Sequence, residues 1–265
     1  MQSMIGYIDV PVLGCLKGFM KGVILAGGLG TRLYPLTHVT NKHLLPIYNK
    51  PMIFYPIETL VSAGVTEILI VTSGPHVGDF LGVLKNGKEL GVTHLEYAYQ
   101  ERPDGGIADA LALAEAFADQ GPVTVILGDN TTDAVIREPV EKFTDGALVF
   151  LKKYGDRDLL KRFGVPVFDE SGTKITTVEE KPAEPKSDYA QTGLYIYDAT
   201  VFDRIRGLAP SARGELEVSD LNSLYAKEGL LSWAELNGYW SDAGTFASML
   251  QASWHWAKKD NVVLE

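Results

Sequence analysis

Apolar residues follow two rhythms along this chain. In the first half, short unbroken apolar runs alternate with longer segments of helical spacing. Gly22–Ala26 (GVILA), Thr66–Thr72 (TEILIVT) and Pro122–Leu127 (PVTVIL) are runs of the kind that a sheet buries on both faces. His94–Tyr99 (HLEYAY) alternates, as a strand covered on one face does. Met52–Ala63 predicts a helix closed by Gly64, His76–Leu84 a short helix ending near Asn86-Gly87, and the alanine-rich Ile107–Phe117 a third, with Asp104 in its N-cap region. Buried strand alternating with helix predicts an α/β fold, a Rossmann-like, mostly parallel mixed sheet flanked by helices. The second half is denser. Gly146–Leu151, Gly164–Phe168, Lys174–Glu179 and Ala190–Tyr197 are closely spaced strand-like segments, which predict a mixed or antiparallel extension of that sheet. Val201–Arg206 and Val218–Lys227 predict helices, Leu231–Glu235 a strand and Thr245–Lys258 a final helix. No linker or repeat interrupts residues 20–265, so one domain is expected there, in two halves, 20–145 and 146–265.

Composition narrows the function classes. With 265 residues, 46% hydrophobic and 22% charged, the chain can bury a large core. Its net charge of −10, with no cluster of Lys and Arg, argues against a nucleic-acid partner. A polyanionic small molecule would need cations concentrated locally. Cys15 is the one cysteine, so neither a disulfide framework nor a thiolate metal cluster is expected, in keeping with a cytoplasmic protein. No apolar run approaches a membrane span. Residues 1–19 lack a basic n-region and include Asp9, which argues against a signal peptide. They are read as an N-terminal extension that Ile8, Val10, Val12 and Leu13 could pack as a strand.

The candidate chemistry sits at strand ends. Gly27-Gly28-Leu29-Gly30-Thr31-Arg32 follows the first buried run. Its glycines permit positive φ and leave backbone N–H groups uncovered, an arrangement suited to phosphate. Arg32 and Lys42 add two cations, and Lys50 is a candidate third. No Gly-Lys-Ser/Thr follows, so this is not a Walker A loop, and Leu33 occupies the third glycine position of a dinucleotide fingerprint. From the glycines alone, a plain turn and a phosphate loop both stand. Gln100–Gly106 and Gly128–Asn130 also follow strands, and ligands in such sheets lie beyond the strands' carboxyl ends. Three loops are therefore expected to converge on one cleft. Asp129 could ligate Mg2+ or cap a turn, and Asp242 could ligate the ion or cap the last helix. Gln100 could read a pyrimidine edge through both ends of its amide, or lie on the surface. No Ser or Cys has a convincing His partner, and His38, His43, His76, His94 and His255 read as structural or exposed.

Seven blocks then occur in order: LAGGLGTRLYPLT, NKHLLPIYNKPMI, LGDN, EEKP, TGLYIYD, ARGELEVSD and WSDAGT. Together they resemble the sugar-1-phosphate nucleotidyltransferases over nearly all of the chain from Met20, where that family usually begins. The likeness is strongest to the branch that uses dTTP. The resemblance implies a nucleotide-diphospho-sugar transferase fold, with nucleotide bound by the first half and sugar by the second. The implied reaction joins dTTP and glucose 1-phosphate to give dTDP-glucose and pyrophosphate, with UTP as the alternative donor. It implies catalytic roles for Arg32, Lys42 and Asp129. It assigns nucleotide contacts to Ala26, Gly27, Gly28, Gly30, Thr31, Gln100, Gly105 and Gly106. Sugar-phosphate contacts fall to Gly164, Glu180, Lys181, Thr192 and Tyr195, with Glu215 and Glu217 nearby, and Mg2+ to Asp129 and Asp242. It implies no nucleic-acid or membrane partner and leaves room for a homo-oligomer. A non-catalytic sensor on the same fold would be expected to have lost a cation or an acid, yet Arg32, Lys42, Asp129 and Asp242 are all present. The chain departs from the family at Thr131-Thr132-Asp133, at Ala243, and at Pro166, which is expected to interrupt a strand. It also ends soon after the last predicted helix, where longer members continue with a helical region used for tetramer contacts and an allosteric site. Feedback is accordingly expected to be weak.

Overall fold

The computed structural model describes residues 20–262; the strand expected within residues 1–19 lies outside them. Seven strands build its central sheet: β1 (Lys21–Ala26), β2 (Glu67–Thr72), β3 (His94–Tyr99), β4 (Val123–Leu127), β5 (Ala147–Lys153), β6 (Tyr189–Tyr197) and β7 (Leu231–Glu235). Their order is β7-β5-β6-β4-β1-β2-β3. All run parallel except β6, which is antiparallel to both β4 and β5.

The unbroken apolar runs are explained by helices on both faces. From β1, Val23 and Leu25 enter one core with Ala108, Leu111, Phe202 and Leu221, while Ile24 and Ala26 enter the other with Ile57, Leu60 and Phe80. The first core is closed by helices Ile107–Ala112, Val201–Arg206 and Val218–Lys227, the second by Phe54–Ser62 and Val77–Leu84. At the sheet edge β3 is only half covered, which is why its sequence alternates.

Three expectations are corrected. The helix expected over Ile107–Phe117 is two pieces, Ile107–Ala112 and Glu115–Ala118, because Leu113 and Ala114 bond to carbonyls three residues back and tighten the turn. Asp104 does not cap it. Gly106 stands at the cap, and the Ala108 N–H donates to the Leu216 carbonyl at 3.1 Å. Nor does Pro166 interrupt its strand. Gly164–Phe168 pairs only with Ile175–Glu180, so a missing N–H is tolerated there.

Gly106 ties the two halves of the chain together. Its φ is 95°, and a Cβ there would lie 2.5 Å from the Leu216 oxygen. Leu216 in turn donates its N–H to the Gly105 carbonyl at 2.9 Å. Gly106→Ala is therefore expected to lower stability by about 1–3 kcal/mol from backbone strain alone. Urea unfolding measures it, and an unchanged midpoint would show that the loop yields freely. No described helix is long and apolar enough to cross a membrane.

Candidate active site

β1 stands where the strand order reverses, with β2 on one side and β4 on the other. Loops leaving neighbouring strands at such a point diverge and open a crevice. A cavity of about 340 Å³ lies there, lined among others by Gly27, Gly28, Arg32, Lys42, Gln100 and Asp129. The three loops expected to converge do so.

The glycine loop is held from below. The Gly28 N–H donates to Ser73 Oγ at 2.9 Å, an anchor that no motif flagged. Gly28 has φ 88°, and a Cβ on it would meet nothing within 4 Å, so this face is open to a ligand. Gly30 serves another purpose. A Cβ there would lie 3.2 Å from Lys42 Cβ, so its bareness lets Lys42 pack onto the loop. Thr31 opens a short 3-10 turn, Thr31–Leu33, with Arg32 exposed and Leu33 fully buried. Leu33 thus anchors the turn where a dinucleotide loop has its third glycine. Ala26 is buried at the end of β1, and its Cα would lie 3.2 Å from a Cβ on Gly128. Lys50 is no third cation of this loop; it pairs with Glu58 and lies 4.4 Å over the Tyr55 ring.

Lys42 Nζ donates to Asp129 Oδ2 at 2.7 Å, and Asn130 Nδ2 to Oδ1 at 3.1 Å. Burial pushes the Asp129 carboxyl up, but Lys42, His43 and these bonds outweigh it and hold it well below the usual carboxylate range. Asp242 arrives from far along the chain. Trp240–Asp242 pairs antiparallel with Asn130–Thr132, setting Asp242 opposite Asn130. Burial and the neighbouring Asp129 charge push its carboxyl up to about 6. The cap of the last helix, Phe246–Lys259, is Thr245, whose Oγ1 accepts from the Ser248 N–H, so Asp242 is free of that task. Two mutually repelling carboxylates close to the glycine loop are a fit for a divalent cation. No group of three or more His, Cys, Asp or Glu among the described residues forms a closed metal cage, so water and substrate would complete the shell. Arg162, missed by motif reading, lies 3.6 Å from Asp242. His43 is buried behind Gly128; burial, then Lys42, lowers it to about 3, so it is neutral and structural.

Where the base is expected, two readings change. Gln100 is buried, and its Nε2 donates to Asp109 Oδ2 at 2.8 Å and to the Gly106 carbonyl at 3.3 Å. Its donor end is thus spent inside the protein, and only Oε1 remains. Gly105 and Gly106 do not clear a path for a base. A Cβ on Gly105 would lie 2.3 Å from Asp109 Oδ2, and Gly106 is pressed by Leu216, so both shape the loop itself.

Where the sugar phosphate is expected, Glu180 Oε2 accepts from Ser219 Oγ at 2.6 Å, and Oε1 lies 3.1 Å from Lys181 Nζ. Lys181 holds a left-handed φ of 46°. Arg213, in the ARGELEVSD block, donates to Glu217 at 2.8 Å and lies 3.5 Å from Glu180. Glu215 lines the cavity. Gly164 lets Ser219 reach Glu180, since a Cβ on it would lie 2.9 Å from Ser219 Oγ. Thr192 and Tyr195 are not open to a ligand. The Thr192 hydroxyl is buried and donates to the Phe150 carbonyl at 2.8 Å, while Tyr195 is a core side chain stacked on Tyr197. β6 changes register between Gln191 and Tyr195, where Asn130 Oδ1 accepts from the Gly193 N–H at 3.0 Å and turns these side chains inward.

Known proteins resemble this chain over most of its length. The chain is 44% identical over 241 residues to the glucose-1-phosphate thymidylyltransferase of Neisseria gonorrhoeae, covering 88% of this chain and 81% of that protein. It is 43% identical over 238 residues to the protein of the same name from Actinoplanes sp., covering 88% and 77%. A crystal structure from Bacillus anthracis, described as a glucose-1-phosphate thymidylyltransferase in complex with sucrose, superimposes with a TM-score of 0.83 at 46% identity over 93% of this chain and 97% of that one. A UDP-glucose pyrophosphorylase bound to UDP-glucose shares the fold, with a TM-score of 0.77 at 24% identity over 91% and 99%. Residues 21–259 match the family described as nucleotidyl transferase, and the chain belongs to that family.

Proposed function

We propose that the chain transfers a thymidylyl group from dTTP to glucose 1-phosphate, giving dTDP-glucose and pyrophosphate. The observation that carries this reading is the convergence of Arg32 and Lys42, beside an open glycine loop, with Asp129 at the switch point, while strand pairing sets Asp242 opposite the adjoining Asn130. The sugar phosphate needs no activation by a base, because its oxygen is already ionised. It attacks the α-phosphorus of dTTP in line, and the bond to the bridging oxygen of the departing pyrophosphate breaks. Arg32 and Lys42 set positive charge where the α-phosphate and the leaving group gain negative charge. Lys181, with Arg213 beside Glu180, supplies a cationic seat for the sugar phosphate. Asp129 and Asp242 would hold Mg2+, which when bound neutralises charge on the triphosphate. No group forms a covalent intermediate.

The lone acceptor of Gln100 suits thymine and uracil alike, so UTP is the second donor to test. The thymine methyl is worth only about 1 kcal/mol. Pyrophosphate release across a grid of nucleoside triphosphates and sugar 1-phosphates is expected to be fastest with dTTP and glucose 1-phosphate, then UTP, and to vanish when divalent cations are chelated. A purine preference, or no release from any pair, would overturn the reading.

A further inference from the structure

We propose that Asp109 is the positioning residue that decides which end of the Gln100 amide meets the nucleotide base, and so sets the choice between thymine and cytosine. The inference rests on reading the Gly27–Gln100 cavity as the base site. A glutamine amide has two ends of nearly equal size, one a donor and one an acceptor. Left to itself it presents either by turning over.

Here it cannot turn. One end lies 2.8 Å from Asp109 Oδ2 and 3.3 Å from the Gly106 carbonyl. A carboxylate and a carbonyl only accept, so that end must be the NH2. Asp109 is itself fixed. Arg102 Nη2 donates to its other oxygen, Oδ1, at 2.6 Å. Its Oδ2 also packs so closely on Gly105 that a Cβ there would lie 2.3 Å away. Arg102, Asp109 and Gln100 thus form a relay that starts on the surface and ends in the cleft. The remaining end, Oε1, sits over the glycine loop, 2.9 Å from where a Gly27 Cβ would be. It accepts no hydrogen bond among the described residues.

The cavity therefore offers an acceptor to the base. Thymine and uracil carry an N3–H donor at the middle of their pairing edge. Cytosine has the same size but carries a lone pair there, and two acceptors facing one another repel. The discrimination comes from the relay, since glutamine alone would serve either pyrimidine.

Asp109→Asn keeps the shape and supplies an amide that donates as well as accepts. Gln100 can then turn its NH2 toward the cleft. We expect the preference for dTDP over dCDP, measured by isothermal titration calorimetry on the full chain, to fall at least tenfold. The kcat/KM ratio for dTTP over dCTP should fall in parallel, with the KM for glucose 1-phosphate unchanged. A merely structural role would lower both nucleotides together and leave the ratio alone. Arg102→Ala, at an exposed side chain that endangers the fold less, should give an intermediate loss of selectivity. A ratio within twofold of wild type in both variants overturns the proposal. Equal binding of dTDP and dCDP by the wild type overturns it together with the assignment of the base site. If the wild type releases no pyrophosphate while Asp109→Asn still collapses the binding ratio, the relay stands and the catalytic reading falls.

Discussion

Asp242→Asn should cut turnover about 10²–10³-fold, as expected for loss of a group that helps stabilise transition-state charge, while leaving the fold intact. The carboxylate caps nothing, since Thr245 and Ser248 close the last helix by themselves. It sits beside the like charge of Asp129, and Arg162 at 3.6 Å is a distant partner. Without a cation this charge is a burden on the folded state. Asn at 242 should therefore keep or raise the melting temperature in metal-free buffer. The rise in melting temperature that Mg2+ or Mn2+ gives the wild type should disappear. Asp129→Asn should lose as much turnover, but its melting temperature should fall, because it strands Lys42 beside an uncharged side chain. Thermal melts with and without Mn2+, run beside pyrophosphate release, separate the cases. Near-normal turnover in Asp242→Asn would remove Asp242 from the metal site.

The second large effect is at Lys42. Lys42→Ala should lower kcat about 10³-fold while changing the KM for glucose 1-phosphate little, because the charge it meets grows in the transition state. It should also destabilise. Lys42 and Asp129 are 2.7 Å apart, with side chains only 14% and 11% exposed. Removing one partner of a buried pair costs about 3–5 kcal/mol, and in a protein of this size each kcal/mol is worth about 2–4 °C in Tm. A divalent cation should restore part of that loss, since it gives Asp129 a new partner. Arg32→Ala should lower kcat without the drop in Tm, because Arg32 is exposed. If Lys42→Ala changes only the apparent affinity for the sugar phosphate, its assignment to the triphosphate is wrong.

Local pattern determined the elements of this protein. The runs at Gly22–Ala26 and Pro122–Leu127 read as buried strands because β1 and β4 are covered on both faces, and periodicity reports burial directly. His94–Tyr99 read as half-covered because β3 lies at the sheet edge. The segments at Val218–Lys227 and Leu231–Glu235 matched for the same reason. The loops at the strand ends pointed to the cleft because ligands in such sheets lie beyond the strands' carboxyl ends.

What a residue's neighbours do was not legible. Nothing local says that β6 runs backward between β4 and β5, or that this pairing turns Thr192 and Tyr195 inward. Asp242 comes close enough to Asp129 to feel its charge only because Asn130–Thr132 pairs with Trp240–Asp242. Gly105 and Gly106 were expected to contact the nucleotide, yet Asp109 and Leu216 occupy the space that their missing side chains leave. Lys50 looked like a phosphate cation until Glu58 claimed it, and Gln100 looked able to donate until Asp109 took its NH2. The physical reason is common to all of these. Hydrophobic rhythm records how deeply a position is buried, whereas a polar group's role is settled by competition among partners that only the folded chain brings within hydrogen-bonding distance.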